Sequence, residues 1–313
     1  LTTAIFLRAV GNVPMLFISS LTVGIAIAVL NFSLPVWVKE NTSQHSGLVT
    51  GIYITIMGVF AAISVAVAVP LAGATSWGWR LSMVPWIVIG LISSIYWLAR
   101  NSKISRSSQM PISSKFHGEL LRKPSAWSIA VFFGLQSMLF YGTATWLPTI
   151  LVSKGFTLSN AGFAVSITGL MGSIVGIAAP HFSSKLRDLR ILLAFLGVLI
   201  SLSFAALIFD YGWRLILWLF ISNIGLSIIF PLSLLLTVTR SVEAGGTRSL
   251  SIMAQSIGYL MAAFAPGIVG AIYDATLDWS IALIFPVVLG IILGAVGYFA
   301  GKPEKILILD FEK

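Results

Sequence analysis

Six uncharged polar residues stand inside long apolar runs, where their side chains could hydrogen-bond a small solute. They are Asn31, Gln136, Tyr141, Asn223, Gln255 and Tyr259. A helix face that carries amides and phenols should face protein or a watery cavity rather than lipid. The alternative is that these groups only link helices, at about 0.6 kcal/mol per hydrogen bond on average. We predict a substrate site built from these six, with Tyr53, Phe140 and Trp146 as aromatic wall residues for which packing is the alternative.

The sequence offers no group for catalysis. His45, His117 and His181 stand singly in connecting segments, without metal-ligand spacing, and cysteine is absent. A Gly-Lys-Ser/Thr phosphate-binding loop is also absent, which disfavours ATP-driven chemistry. We therefore expect no enzyme, no cofactor and no metal site.

The acidic residues bear on energy coupling. All ten lie in connections, at the ends of apolar runs or in the tail. A carboxylate in the middle of a run would be a proton-relay candidate, because burying a charge there is costly. Either a coupling proton is handled by helices upstream of Leu1, or transport is not driven through carboxylates.

Long apolar runs position these residues. The chain is 58% hydrophobic and 9% charged, whereas a soluble chain carries roughly 25% charge. Runs of about 20 apolar residues can cross a hydrocarbon core of about 30 Å. Nine such runs are present: Val13–Trp37, Gly47–Leu71, Trp79–Leu98, Ala126–Leu151, Asn160–Pro180, Ile191–Ile208, Trp213–Val238, Leu250–Tyr273 and Trp279–Ala300. The sequence predicts an all-α, multi-pass membrane protein.

The net charge of +9 reflects topology rather than a nucleic-acid partner. With the carboxyl terminus in the cytoplasm, only four of the 19 Lys and Arg residues fall on the opposite side: Arg8, Arg80, Lys154 and Arg214. This is the positive-inside pattern of a bilayer-embedded chain.

A weak internal repeat relates the first three runs to the last three. The segment Leu16–Ser20 returns as Leu219–Asn223, at an offset of 203 residues. Gly58 and Gly258, Ala62 and Ala262, Trp79 and Trp279, and Gly90 and Gly290 also correspond, at an offset of 200 residues. Duplicated helix bundles are the usual architecture of secondary transporters.

The repeat also predicts the domain organisation. We expect residues 1–99 to be the remainder of an amino-terminal bundle, with about two and a half spans preceding Leu1. Residues 100–124 would be a basic cytoplasmic linker, 125–301 a carboxy-terminal six-helix bundle, and 302–313 a cytoplasmic tail.

Small residues and prolines refine the expected packing. Ser20, Gly24, Ala28 and Asn31 form one stripe of small or polar residues, and Gly258, Ala262 and Pro266 form another. Such stripes let helices approach closely in lipid. Pro85, Pro266 and Pro286 lie inside runs and should bend them.

Several stretches resemble the major facilitator superfamily, in particular its cyanate and 2-nitroimidazole transporter branch. Met253–Tyr259 resembles the eleventh-helix signature of that branch, and Gly134–Ser137, with Tyr141 and Trp146–Pro148, resembles its seventh helix. Thr50–Tyr53 and the turn from Asp274 to Trp279 are also similar. The superfamily has a 6+6 helix fold whose first, fourth, seventh and tenth helices generally line the central cavity. Asn31, Gln136, Tyr141 and Asn223 fall on three of those four.

The resemblance implies a secondary active transporter of the bacterial cytoplasmic membrane. It would move a cyanate-like anion or a small nitrogen heterocycle by alternating access, as a monomer and with a proton as a possible coupling ion. The alternatives are broad-specificity drug efflux within the same superfamily, and a transport-dead membrane sensor.

Overall fold

The chain is almost entirely helical in this computed structural model. The structure describes residues 1–41, 46–101, 118–183, 186–241, 244–304 and 306, without the side chains of 31–41, 46–52, 54–55, 101, 177–178, 180–181 and 244–245. The helices are α1 (Thr2–Val10), α2 (Val13–Asn41), α3 (Ser46–Ala74), α4 (Val84–Asn101), α5 (Pro124–Ser153), α6 (Leu158–Ser183), α7 (Arg190–Phe209), α8 (Trp213–Thr239), α9 (Ala244–Thr276), α10 (Trp279–Ala282) and α11 (Ile284–Ala300). Two 3₁₀ helices, Gly78–Met83 and Gly118–Arg122, precede α4 and α5.

Nine helical segments of the described chain are long and apolar enough to cross a membrane. Helices dominate because a chain in hydrocarbon must satisfy its backbone N–H and C=O groups internally. The prediction of an all-α, multi-pass membrane protein is confirmed, and the nine spans coincide with the nine apolar runs.

The chain divides into two compact units, Leu1–Ser113 and Ser114–Lys313. Most of the predicted linker, 100–124, and most of the tail, 302–313, lie outside the described residues, so both assignments remain predictions. Near the start of the second unit, the 3₁₀ helix Gly118–Arg122 is tied to α5, because the Trp127 indole Nε1–H donates to the carbonyl of Leu121 at 2.8 Å.

The amino-terminal unit contains α1 to α4, and few of its described side chains are buried. Its best-buried residues include Ala4, Ala9 and Ser19. Thr2 of α1 lies against α4, where its hydroxyl is 3.3 Å from that of Ser94. Large apolar side chains on α2 and α4 are exposed, as expected for surfaces that contact lipid.

The carboxy-terminal unit contains six spans around a continuous core. Phe132, Phe133 and Phe204 are among its largest fully buried side chains. The spans differ in composition: mean hydropathy is 1.2 for α5 and 1.5 for α9, but 2.8 for α7 and 2.5 for the span from Trp279 to Ala300. The predicted site residues Gln136 and Gln255 lie on two of the three least apolar spans, and the third is α6, with a mean hydropathy of 1.4.

Glycine brings α7 and α11 into close contact. A Cβ at Gly197 would meet the backbone of Gly294 and lie 2.9 Å from the carbonyl oxygen of Gly290. The Ser201 hydroxyl donates to the carbonyl of Val287 across the same contact, at 2.8 Å. We call this contact the glycine seam, and it excludes any side chain larger than hydrogen at Gly197.

Two spans start with a short turn that ends before a proline. The 3₁₀ helix Gly78–Met83 precedes α4, whose second residue is Pro85. Likewise α10 stops one residue before α11, whose third residue is Pro286. Proline lacks an N–H and fits the first turn of a helix, so the expected distortion at these two prolines takes the form of a break. Pro266 lies inside the continuous helix α9.

Candidate functional site

The helix pair α5 and α9 positions most of the predicted site residues, and it is the most extensive helix contact in the carboxy-terminal unit. Small residues let the two backbones approach: a Cβ at Gly134 would lie 3.3 Å from the Cα of Gly258, and one at Gly142 would lie 3.2 Å from the Cβ of Ala265. The stripe Gly258, Ala262 and Pro266, predicted from sequence, is therefore a packing surface.

Four rings form an aromatic cluster beside this contact: Phe133 and Tyr141 from α5, Phe230 from α8, and Tyr259 from α9. Ring centroids are 5.5 Å apart for Phe133 and Tyr259, 6.4 Å for Tyr141 and Tyr259, and 6.2 Å for Phe133 and Phe230. These separations are within the usual range for edge-to-face pairs. Tyr141 and Tyr259 remain 45% and 37% exposed, so both can contact a solute, and Tyr259 packs against the buried Phe133.

Gln136 lies on α5, one turn from Phe133, and only 2% of it is exposed. Its amide Nε2–H donates to the hydroxyl of the neighbouring Ser137 at 2.7 Å. The hydroxyls of Thr143 and Thr145 bond backbone carbonyls of α5 itself. Much of the wide polar side predicted for this helix is therefore satisfied inside the helix; Tyr141 and Thr145 are its exposed members, and the Thr145 hydroxyl is used within the helix.

Gln255 is half-buried on α9. It lies one turn after Ser251, whose hydroxyl bonds that of Thr237 on α8 at 2.8 Å, and one turn before Tyr259. Residues four apart share a helix face. Gln255 is thus on the face that contacts α8 at one end and the aromatic cluster at the other.

Asn223 lies in the contact between α6 and α8. Its amide Nδ2 donates to the carbonyl of Leu219 at 2.9 Å and to the hydroxyl of Thr168 at 3.3 Å. A Cβ at Gly172 would lie 2.8 Å from the Asn223 carbonyl oxygen, so the two helices touch closely here. The Asn223 amide thus donates once within α8 and once across to α6. A role for Asn223 in solute binding stays a prediction.

The other predicted aromatic residues have different surroundings. Trp146 donates its Nε1–H to the carbonyl of Pro266 at 2.9 Å and packs near Trp279, with ring centroids 5.2 Å apart. Phe140 is exposed and packs edge-on against Tyr141 at 5.2 Å. Tyr53 is half-buried in the amino-terminal unit, and the side chain of Asn31 lies outside the described residues.

The sequence did not predict three residues that contribute to the candidate site. Phe133 and Phe230 complete the aromatic cluster, and Ser251 extends the polar face of α9. Phe133 precedes the Gly134–Ser137 signature, and Ser251 lies one turn before Gln255, so their spacing from recognised residues was the available signal.

Charged groups lie at the ends of the spans rather than within the candidate site. Lys154, just after α5, donates to the carbonyls of Ile208 and Asp210 at 2.9 and 3.3 Å, and so ties the end of α5 to that of α7. Burial lowers the pKa of Lys154, and the charges of Asp278 and Asp210 oppose this shift. Elsewhere, hydrogen bonds from Arg190 hold the pKa of Asp188 below its usual value.

Within the described ranges, no cluster of three His, Asp or Glu side chains could hold a metal ion. The site can therefore offer amide, phenol and hydroxyl hydrogen bonds together with aromatic ring faces. These groups suit reversible binding of a small uncharged or weakly charged solute.

Comparison with known proteins extends this description. The chain is 30% identical to YycB, an uncharacterized transporter of Bacillus subtilis, over 98% of this chain and 76% of YycB. It is 29% identical to a 2-nitroimidazole transporter of Escherichia coli, over 96% of this chain and 76% of that protein. The cyanate transport protein CynX of Escherichia coli is 24% identical, over 85% of this chain and 69% of CynX.

Residues 1–266 match the Major Facilitator Superfamily. That match covers the described spans from α1 to the middle of α9, and the similarity to YycB continues over nearly the whole chain. The chain therefore belongs to the Major Facilitator Superfamily and is a multi-pass membrane transporter, not an enzyme.

Proposed function

We propose that this chain transports a small nitrogen heterocycle or a cyanate-like anion by alternating access. The observation that carries the proposal is the exposed tyrosine pair, Tyr141 and Tyr259, on the face of α5 and α9 that also holds Gln255. Two relatives are a 2-nitroimidazole transporter and a cyanate transport protein, which supports this substrate class.

The chemistry of this face favours the heterocycle over cyanate. A planar ring can stack on or meet the edge of Tyr141 and Tyr259, and such aromatic contacts contribute about 0.5–1.5 kcal/mol each. Ring nitrogens and nitro oxygens can accept hydrogen bonds from a tyrosine hydroxyl or from the amide of Gln255. A linear three-atom anion gains little from ring faces and would depend on hydrogen bonds alone.

The decisive experiment measures uptake of labelled 2-nitroimidazole and cyanate into liposomes that contain the purified chain or its variants. Tyr259→Leu should lower heterocycle uptake by up to about tenfold, since an aromatic contact is lost. Cyanate uptake should fall less. Gln255→Leu should lower the uptake of both solutes, because a hydrogen-bonding amide is replaced by an apolar side chain of similar size.

Tyr298→Leu is the matched control. Tyr298 is 43% exposed on α11, has its ring next to Phe299, and takes no part in the aromatic cluster. Its removal should leave both transport rates unchanged. Wild-type transport by Tyr259→Leu and Gln255→Leu, with both variants folded in the membrane, would reject the proposed site.

A broad-specificity drug efflux transporter is the second candidate, and the predominance of aromatic rings in the cluster favours it. The two candidates differ in their dependence on hydrogen bonds. Efflux of apolar drugs should tolerate Gln255→Leu and Tyr259→Phe, whereas transport of a small polar solute should not tolerate Gln255→Leu.

Several finer features complete the proposal: the protein acts as a monomer in the bacterial cytoplasmic membrane, with its carboxyl terminus in the cytoplasm. The distribution of Lys and Arg supports this orientation. A proton is the proposed coupling ion, and uptake measured with a pH gradient across the same liposomes tests this directly. The secondary candidates for contact with the solute are Asn31, Asn223, Gln136, Tyr53, Phe140 and Trp146.

A further inference from the structure

A pocket of about 530 Å³ opens at the end of the carboxy-terminal unit where α5 begins and where α8 and α11 end. Sites for small ligands typically measure about 300–1,000 Å³. Its lining includes Ser125, Trp127, Phe299, Arg240, Lys302 and Glu304, and we call it the interfacial pocket. None of the residues that line it belongs to the aromatic cluster, so it goes beyond the proposed solute site.

Arg240, immediately after α8, is the buried cation of this pocket. Only 7% of it is exposed, and its Nη2 donates to the carbonyl of Gly301 at 2.8 Å. The contact to the carbonyl of Arg187 is long, at 3.5 Å. Its Nε–H has no hydrogen-bond partner in the part of the chain that the structure describes.

A buried guanidinium with an unused donor is costly unless an anion compensates it. The ion pairs found among the described side chains join Asp188 to Arg190 and Asp210 to Arg214. Neither includes Arg240, although Asp188 is near enough to oppose the lowering of the Arg240 pKa by burial. The pocket therefore contains a buried cation that forms no ion pair among the described residues.

The start of α5 adds a second attraction for an anion. Pro124 is the first residue of this 30-residue helix, and Lys123 before it provides no side-chain cap. Pro124 has no N–H, and the N–H groups of Ala126 and Trp127 donate to the Lys123 carbonyl, so the attraction for negative charge at this terminus comes chiefly from the helix dipole. Ser125 and Ser128 of this turn line the pocket, and Arg240 and Lys302 outnumber the one lining carboxylate, Glu304.

The location of the pocket identifies the kind of anion. Because α5 begins and α11 ends here, the pocket lies at the level of the lipid headgroups, a depth that also suits Trp127. Trp127, Val131, Val296 and Phe299 form an apolar wall beside the charged groups. A free phosphate ion would use the cations but not this wall.

We propose that the interfacial pocket binds the phosphate group of an anionic membrane phospholipid, whose acyl chain lies along Trp127 and Phe299. Arg240 and Lys302 contact the phosphate. Under the predicted orientation, the lipid comes from the cytoplasmic leaflet, where anionic lipids and positive loops meet.

The test measures lipid binding to the purified full chain in detergent by native mass spectrometry, together with the thermal unfolding midpoint. Phosphatidylglycerol should bind and raise the midpoint. Phosphatidylcholine with the same acyl chains should bind more weakly. Inorganic phosphate at the same concentration should leave the midpoint unchanged. Because transport is not measured, this result is independent of the proposed solute.

Three variants and a control locate the site. Lys302→Gln and Arg240→Gln should each weaken phosphatidylglycerol binding roughly tenfold, since each removes a charge-assisted contact. Glu304→Gln should strengthen it, because a repelling carboxylate is removed. Arg122→Gln removes an exposed cation outside the pocket lining and should leave binding unchanged.

Arg240 also holds the carbonyl of Gly301, so its variant could misfold. Lys302 is exposed, and Lys302→Gln decides the outcome in that case. Equal binding by Lys302→Gln and Arg122→Gln would overturn the site. Stabilisation by inorganic phosphate equal to that by phosphatidylglycerol would overturn the assignment to a lipid.

Discussion

Two helix pairs of the carboxy-terminal unit are both joined through glycine, yet they differ in what surrounds the contact. In the glycine seam of α7 and α11, the backbone of Gly294 lies directly opposite Gly197. In the pair α5 and α9, the nearest groups to Gly134 and Gly258 include side chains, the thioether of Met261 and the ring of Phe133. The first pair is also far more apolar, with a mean hydropathy of 2.8 for α7 against 1.2 for α5.

The difference teaches how one bundle can contain both a rigid and an adaptable contact. Backbone opposite backbone has a single packing arrangement, because nothing can rotate out of the way. Side chains opposite glycine can change rotamer, so the α5–α9 contact could adjust to a solute at the site proposed beside Tyr259. We therefore propose that the glycine seam supports the bundle and that the α5–α9 pair serves the proposed solute site.

The largest expected effect comes from filling the glycine seam. Gly197→Val should prevent folding or destabilise the protein by about 3 kcal/mol or more, since overpacking against backbone has no side chain to relax it. Size-exclusion profile and thermal unfolding midpoint measure this. Gly267→Ala is the control: nothing lies within 4 Å of a Cβ there, and alanine should be neutral or stabilising. A well-folded Gly197→Val protein would contradict the comparison.

An intermediate effect is expected in the α5–α9 pair. Gly258→Ala would press on the ring of the fully buried Phe133, which supports Tyr259. We expect heterocycle uptake to fall severalfold, with a loss of stability of about 1–3 kcal/mol. Gly134→Ala mainly displaces the flexible end of Met261 and should cost less in both liposome uptake and unfolding midpoint. The reverse order would show that Phe133 does not support the site.

The smallest effects are expected when one interhelical hydrogen bond is removed from each helix pair. Ser201→Ala removes the bond to the Val287 carbonyl, and Trp146→Phe removes the bond to the Pro266 carbonyl. Ser201→Ala should lower stability by about 0.6 kcal/mol, the average for such bonds between membrane helices. Trp146→Phe should cost somewhat more, because the smaller ring also loses packing beside Trp279 and Gly270. Only Trp146→Phe should also change uptake, and an equal change from Ser201→Ala would remove the distinction between the pairs.

The positions of the spans could be predicted from sequence because hydrocarbon forces the backbone into helices. Distortion at Pro85 and Pro286 was predicted for a similar reason, since proline cannot donate a helical hydrogen bond. The prediction was a bend rather than a break, and the same reason did not separate these two prolines from Pro266, which lies inside the continuous helix α9. These properties depend on composition along the chain and not on which neighbour a helix meets.

The rotation of each helix about its axis was harder to predict. The stripe containing Gly258 packs against α5, but a Cβ at Gly24, in the other predicted stripe, would meet no described atom within 4 Å. Lipid and protein offer similarly apolar surroundings, so a small residue alone does not reveal its partner. Asn223 shows the same limit, because its sequence context did not disclose the bond to Thr168.

The low hydropathy of α5 has a consequence for membrane insertion while the chain is being synthesised. This span partitions into lipid less favourably than any of the other eight described spans, and its principal covering helix, α9, is made only after α6, α7 and α8. The nascent chain must therefore hold a partly polar helix in or beside the bilayer while three further segments emerge from the ribosome. The first span of this bundle therefore meets its principal partner only when the fifth span has been made, and the last span then packs against α7 and α5.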